Sequence, residues 1–158
     1  MKNFSFGLSM LLGLGLSVVG CGDNGSGSSA CSGGQVDCDG FCIDPIAPTL
    51  AAIQSEIFVP RNCASSDCHD SSFPKAELDL SSVTASGMNL VGINAFQSPN
   101  DVRVVPSDSG ASYLMNKILG VDMANGTSRM PLNDEGIVLC EPEINAIRQW
   151  IDDGANAP

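Results

Sequence analysis

The residues of this chain best suited to chemistry lie close together, in the segment CASSDCH. Cys63 and Cys68 supply two thiols, and His69, the only histidine of the chain, follows directly. Thiols form disulfides, add to activated double bonds or bind metals as thiolates, and an imidazole nitrogen is a common metal ligand. A Cys63–Cys68 disulfide beside an exposed histidine is one interpretation. A zinc site that adds Cys140 is disfavoured, because adjacent Cys68 and His69 would rarely point at the same ion.

The segment resembles the haem-attachment site of c-type cytochromes, which usually reads Cys-x-x-Cys-His. In that family each thiol forms a thioether with a haem vinyl group, and the histidine binds the iron as proximal ligand. Here four residues separate the two cysteines instead of two, a spacing that other attachment sites of the family also have. The resemblance therefore implies one covalently bound haem c, held by Cys63 and Cys68, with His69 as an iron ligand.

The order of short motifs along residues 50–155 is similar to that of the small secreted cytochrome c domains of planctomycetes and myxobacteria. These motifs are Ile57-Phe58, Leu78-Asp79-Leu80, Pro106-Ser107-Asp108, Ser112-Tyr113-Leu114, Arg129-Met130-Pro131 and Trp150-Ile151-Asp152-Asp153-Gly154-Ala155. By this resemblance Met130 is the distal iron ligand and Arg129 pairs with a haem propionate, since a guanidinium matches a carboxylate. Met123 lies in the same loop and competes with Met130, whereas Met115 falls on a helical stripe and is better interpreted as core.

Hydrophobic periodicity predicts an all-α fold with long loops, and the resemblance specifies a small cytochrome c-like helical domain. The predicted helices cover residues 50–58, 81–91, 109–119 and 142–153. Thr49 is the expected cap of the first helix, and Asp108 or Ser109 that of the third. The last helix is the clearest, with Pro142 in its first turn and Gly154 as its stop signal. The remaining loop, residues 120–135, is long and polar, as functional loops often are.

The N-terminal residues 1–20 have the features of a secretory signal, with Lys2 followed by an apolar run and small residues. The segment resembles a bacterial lipoprotein signal, by which Cys21 becomes the lipidated first residue of the mature chain. An ordinary secretory signal cleaved nearby is the alternative. Several acyl chains together anchor a protein stably to a membrane. The resemblance therefore implies a lipid-anchored protein of the bacterial cell envelope, periplasmic or at the outer membrane.

Between this signal and the domain of residues 49–158, residues 21–48 are predicted to form a flexible tether with a cysteine-rich segment. Outside the cytoplasm disulfides persist. Four cysteines remain for them: Cys31, Cys38, Cys42 and Cys140. Four cysteines give two disulfides in three connectivities, and the sequence leaves the choice open. One bridge is expected to tie the cysteine-rich segment to the last helix.

The charge balance limits the partners of the chain. Its 158 residues include 18 acidic and 7 basic side chains, for a net charge of −11, which argues against a nucleic-acid partner. The resemblance implies a membrane-anchored monohaem electron carrier, not an enzyme, and the acidic surface suits extracytoplasmic redox partners with a basic face. The alternative is a haem-free, disulfide-braced envelope module, for binding or structure, with the same fold. A peroxidase with an open distal site is a weaker one.

Overall fold

The computed structural model describes residues 31–132 and 138–158. In this part of the chain four short α-helices and two two-stranded antiparallel sheets alternate. The elements are β1 (Val36–Cys38), β2 (Phe41–Ile43), α1 (Leu50–Ile53), α2 (Val83–Leu90), β3 (Asn94–Ala95), β4 (Ser98–Val102), α3 (Tyr113–Leu119) and α4 (Glu141–Asp152). The predicted all-α fold class is therefore wrong, because the fold mixes α and β structure.

Hydrophobic periodicity does not reveal the strands, because they are only two to five residues long. A strand of that length shows no sustained alternation of apolar and polar residues. A turn signal was present, since Asp39 and Gly40 join β1 to β2 with φ angles of 53° and 91°. Asp-Gly is the pair that two-residue hairpin turns with positive φ favour. The Gly40 N–H donates to Asp37 Oδ1 at 2.9 Å, which closes the turn.

The first helix begins as predicted. Thr49 caps α1, with its Oγ1 accepting a hydrogen bond from the Ala52 N–H at 3.2 Å. After Ile53 the chain continues as a π-helical segment, Gln54–Phe58, and single π-turns often mark functional sites. The apolar face of α1 is buried, with Leu50 and Ile53 at most 1% exposed.

Helix α4 also confirms its prediction and forms the other side of the core. Ile147, Trp150 and Ile151 are at most 2% exposed. The Trp150 Nε1–H donates to the Asn156 carbonyl at 2.9 Å, so its polar atom is satisfied after the helix has ended. Helix α1 contacts both α2 and α4, and these contacts build one core beside the loops that carry the candidate site.

Helix α3 begins later than predicted. Ser112, not Asp108 or Ser109, occupies its N-cap position. The Asp108 side chain is used in a turn, where Oδ1 accepts from the Ala111 N–H at 2.9 Å. The Ser112 hydroxyl donates to the Asp108 carbonyl at 2.8 Å, which holds the turn outside the helix. Local side-chain hydrogen bonds of this kind compete with helix formation.

Two disulfides join the four remaining cysteines in the pairs Cys31–Cys42 and Cys38–Cys140. The second ties β1 to the start of α4, as expected of one bridge. None of the helices in residues 31–132 and 138–158 combines the length and hydropathy needed to cross a membrane. The predicted signal and Cys21 lie outside the described residues.

Candidate functional site

One cavity of about 550 Å³ brings together Cys63, Cys68, His69 and Met130. This volume lies within the roughly 300–1,000 Å³ typical of small-molecule and cofactor sites. Its apolar wall comes from several elements and consists of Phe58, Leu78, Leu80, Leu90, Leu114, Ile118 and Leu139. The four candidate cofactor ligands of the sequence thus converge on a single, largely apolar chamber.

The loop that carries the thiols is closed on itself. The Cys63 N–H donates to the Phe58 carbonyl at 2.8 Å, so the loop continues directly from the π-helical segment. The His69 N–H donates to the Cys63 carbonyl at 3.0 Å, and the Cys68 N–H donates to the Ser65 carbonyl at 2.9 Å. The four residues between the cysteines therefore form a turn that returns the chain to its start. The longer spacing still leaves the backbones of Cys63 and His69 adjacent.

The Lys75 carbonyl contacts one nitrogen of the His69 imidazole. His69 Nδ1 lies 3.0 Å from the Lys75 carbonyl oxygen. Because a carbonyl only accepts hydrogen bonds, Nδ1 carries the proton and Nε2 keeps its lone pair for a metal. Burial lowers the pKa of His69, although the Lys75 and Leu78 carbonyls act in the opposite direction. The neutral imidazole that this favours is the form that binds metal ions.

The carbonyls that surround the site come from a strained segment. Ala76 and Glu77 both have a φ of 55°, in the left-handed region that ordinary residues rarely adopt. Strain of this kind is often found at functional sites. The strained residues lie beside two contacts of the site. The Lys75 carbonyl contacts His69 Nδ1, and the Ala76 carbonyl accepts a hydrogen bond from Arg103 Nη2 at 2.7 Å.

The two thiols of the cavity are free, whereas the other four described cysteines form disulfides. Burial raises the pKa of the Cys63 thiol to about 11, and the nearby Cys68 adds to the effect. At neutral pH Cys63 is therefore a protonated thiol and a poor nucleophile. The structure thus sets apart the same two cysteines that the spacing with His69 selects.

A buried arginine forms part of the cavity wall. Arg103 is only 7% exposed, and its Nη1 donates to the Asn89 carbonyl at 2.8 Å. Within the described residues no carboxylate lies at salt-bridge distance from it. Burial lowers its pKa, and the more distant Glu77 carboxylate opposes this. A buried cation is costly unless it is paired, so Arg103 suits an anionic group of a ligand.

The described residues that line the cavity include more basic than acidic side chains. Four of the seven lysines and arginines of the chain contribute to it: Arg61, Lys75, Arg103 and Lys117. Among the described lining residues Asp67 is the only acidic one. Arg61 is paired with Glu143, so Lys75, Arg103 and Lys117 are the basic side chains that suit an anionic ligand in a chain of net charge −11.

A bidentate ion pair anchors the start of the thiol loop. Arg61 Nε and Nη2 each donate to a carboxylate oxygen of Glu143 at 2.7 Å. Glu143 Oε2 also accepts from the Cys140 N–H at 2.9 Å, and Arg61 Nη2 lies 3.7 Å from Cys38 Sγ. The pair therefore connects the residues just before Cys63 to the N-terminus of α4 and its disulfide.

The loop after α3 places the predicted methionine but not the predicted arginine at the cavity. The Met130 N–H donates to the Lys117 carbonyl at 2.8 Å, which fixes its backbone against α3. Met123 is not among the described residues that line the cavity, and neither is Arg129. Arg129 Nε donates to the Ile118 carbonyl at 2.8 Å, at the end of α3. There its charge complements the negative end of the helix dipole.

Sequence reasoning missed Arg103 and Lys117 as site residues. Arg103 interrupts the apolar run of Val102, Val104 and Val105, and a cation in such a run was an available signal. Lys117 gives no such signal, because its role depends on the packing of α3 against the cavity.

Comparisons with protein-family models, with curated proteins and with solved structures found no match to this chain.

Proposed function

We propose that this chain is a membrane-anchored monohaem c-type cytochrome that carries single electrons outside the cytoplasm. The observation that carries the proposal is the convergence of Cys63, Cys68, His69 and Met130 on one cavity. These residues come from two distant parts of the chain, and each has a chemical role in covalent attachment or iron ligation.

The residues present fit a haem. Two free thiols are available for two thioether bonds, and the hydrogen bond at His69 Nδ1 leaves Nε2 as the iron ligand. The Met130 side chain offers a thioether sulfur as the second ligand. Arg103, which forms no ion pair within the described residues, supplies a guanidinium for a propionate, and its place in the cavity wall supports it over Arg129 for this role. When bound, the haem supplies an iron that cycles between its ferric and ferrous states.

The wall of the cavity has a chemical role of its own. The apolar side chains of Leu78, Leu80 and Ile118 line the cavity that holds the proposed ligands, and with a haem bound they would limit the access of water. A dry, apolar environment and a methionine ligand both raise the reduction potential of a haem iron. We therefore propose a carrier of relatively high potential, without a substrate-binding or catalytic step.

The proposal extends to location and partners. Lipidation of Cys21 would hold the domain at the bacterial cell envelope, periplasmic or at the outer membrane. The acidic surplus of the chain favours redox partners with a basic face, steered by charge and weakened by salt.

Expression of the full chain with haem-attachment machinery tests the proposal. The expected product keeps its haem on a denaturing gel, as detected by peroxidase staining, and has a mass increased by one haem. Cys63→Ser and Cys68→Ser should each lose a thioether bond, whereas the control Cys31→Ala/Cys42→Ala should keep both. A colourless product whose mass is explained by the lipidated chain with its disulfides alone would contradict the proposal.

The second candidate is a haem-free envelope module braced by disulfides. The two bridges, one of which ties β1 to α4, favour it to the extent that they stabilise the domain without a cofactor. Disulfide mapping of the native protein separates the two functions. A Cys63–Cys68 bridge supports the haem-free module, and haem-linked sulfurs support the cytochrome.

A further inference from the structure

A buried polar network begins in the π-helical segment. Gln54 is 6% exposed, and its Nε2 donates to the Leu80 carbonyl at 2.8 Å. Its Oε1 accepts from the hydroxyl of Ser86, a fully buried residue of α2, at 2.6 Å. Both ends of the amide are therefore used, and they join the π-helical segment to α2 and to the chain at Leu80.

The network continues to the candidate iron ligand. The Leu80 N–H donates to the His69 carbonyl at 2.8 Å, and the His69 N–H donates to the Cys63 carbonyl at 3.0 Å. The peptide groups on both sides of His69 are thus fixed. Gln54, a buried residue, binds the Leu80 carbonyl, and the Leu80 N–H in turn binds the His69 carbonyl.

The polar side chain of Gln54 satisfies two other groups of the core. A buried amide is costly unless it is hydrogen-bonded, and an apolar residue of similar shape would leave the Leu80 carbonyl and the Ser86 hydroxyl without this partner. What a satisfied polar network adds is a specific geometry, because it fixes its partners in one arrangement. The partner fixed here leads directly to His69.

We propose that Gln54 is a positioning residue for His69, acting through Leu80, and that it sets how the imidazole is presented to the cavity. The inference rests on the proposed function, in which His69 is an iron ligand. Outer-shell hydrogen bonds of this kind orient metal ligands and tune the bound metal.

The first test uses the full chain expressed without haem-attachment machinery. Gln54→Leu removes the hydrogen bond to Leu80, so the Leu80 amide should exchange its hydrogen about tenfold faster than the change in global stability explains. The control is Ser112→Ala, which removes the hydrogen bonds of a different fully buried serine to Val105 and Asp108. It should change Leu80 exchange only in proportion to global stability.

The second test uses the haem-loaded chain and a readout that a merely structural role does not move. Gln54→Leu should shift the reduction potential and weaken the absorption band of methionine-ligated iron, whereas Ser112→Ala should leave both at wild-type values. If Gln54→Leu does not fold, Ser86→Ala replaces it, and a smaller shift in the same direction is expected.

The outcomes separate the inference from the proposed function. In Gln54→Leu, the hydrogen exchange of the Leu80 amide could increase only as much as the loss of global stability explains, as expected for Ser112→Ala. That result overturns the positioning role. An unchanged potential in a haem-loaded Gln54→Leu variant overturns it as well. If the wild-type chain takes no haem, the proposed function fails, and Leu80 exchange in the haem-free chain still decides whether Gln54 holds this segment.

Discussion

His69 Nδ1 and the Lys75 carbonyl oxygen lie 3.0 Å apart, so a backbone group six residues away determines which imidazole nitrogen is free. The Lys75 N–H in turn donates to the Cys68 carbonyl at 3.0 Å. The loop of residues 68–75 is therefore closed by its own hydrogen bonds, and the free Nε2 is a consequence of local chain geometry.

The strain beside this contact gives a first prediction. Ala76 has a φ of 55°, which costs an alanine about 1–2 kcal/mol, while glycine adopts it freely but loses about 0.5–1 kcal/mol of chain entropy. Ala76→Gly should therefore stabilise the protein by about 0.5–1 kcal/mol in urea unfolding. Ala51→Gly, at an exposed position of α1, is the control and should destabilise it by a similar amount. Equal losses in both variants would contradict strain at Ala76.

A second prediction concerns the reactivity of Cys63 in the haem-free protein. Burial, with a smaller effect of Cys68, raises the pKa of Cys63 from an ordinary 9.0 to about 11. Below pH 11 Cys63 therefore contains less thiolate than an unperturbed cysteine. At pH 8 its alkylation by iodoacetamide should be about a hundredfold slower than that of an unperturbed thiol, and should quicken about tenfold per pH unit up to pH 10. Peptide mass spectrometry over time gives the rate.

The matched variant for this measurement is Cys68→Ser, which removes the neighbouring thiol but leaves Cys63 in its buried place. Cys63 should react somewhat faster in it and still far more slowly than a free thiol, because burial is the larger cause. Modification of Cys63 at the rate of a small-molecule thiol would refute the raised pKa.

The two disulfides should differ in their contribution to stability. Cys38–Cys140 closes a sequence separation of 102 and Cys31–Cys42 one of 11. Loop-closure entropy then predicts losses of about 5 and about 3 kcal/mol, respectively, for the paired alanine variants. Urea unfolding of Cys38→Ala/Cys140→Ala and of Cys31→Ala/Cys42→Ala measures both. An equal loss in the two would show that chain entropy does not set the order.

The ion pair between Arg61 and Glu143 should couple strongly. Its side chains are 25% and 5% exposed, and two hydrogen bonds of 2.7 Å join them. A double-mutant cycle with Arg61→Met and Glu143→Gln should give a coupling energy of about 2 kcal/mol. The exposed pair Arg148–Glu141, at 4.0 Å, is the control, with an expected coupling below about 0.5 kcal/mol. Similar coupling energies for both pairs would show that the ion pair between Arg61 and Glu143 is no stronger than an exposed one.

The sequence predicted those parts of the site that depend on local spacing. Cys63, Cys68 and His69 are neighbours in the chain, so their convergence follows from a short loop. Thr49 and helix α4 were predictable for the same reason, because caps and helical stripes are local patterns.

The parts that sequence could not supply depend on distant contacts. Arg103 reaches the Ala76 carbonyl, and Gln54 the Leu80 carbonyl, across 27 and 26 positions of sequence. No local pattern encodes such partners. The strands were missed because they are too short for a period. The side chain of Arg129 contacts the carbonyl of Ile118 at the end of α3, another contact that no local pattern encodes.

The last prediction applies if the protein takes up the proposed haem, and it separates Met130 from the other methionines. Met130 lines the cavity and its backbone is fixed to Lys117, whereas Met123 lies in the same loop outside the described lining. Met130→Ala should abolish the absorption band of methionine-ligated iron and lower the reduction potential by about 0.1 V or more, since axial ligands tune haem potentials over a wide range. Met123→Ala, and Met88→Ala at a position 66% exposed, are the controls and should keep both properties. If Met123→Ala instead loses the band while Met130→Ala retains it, Met123 is the ligand, and the assignment of Met130 is wrong.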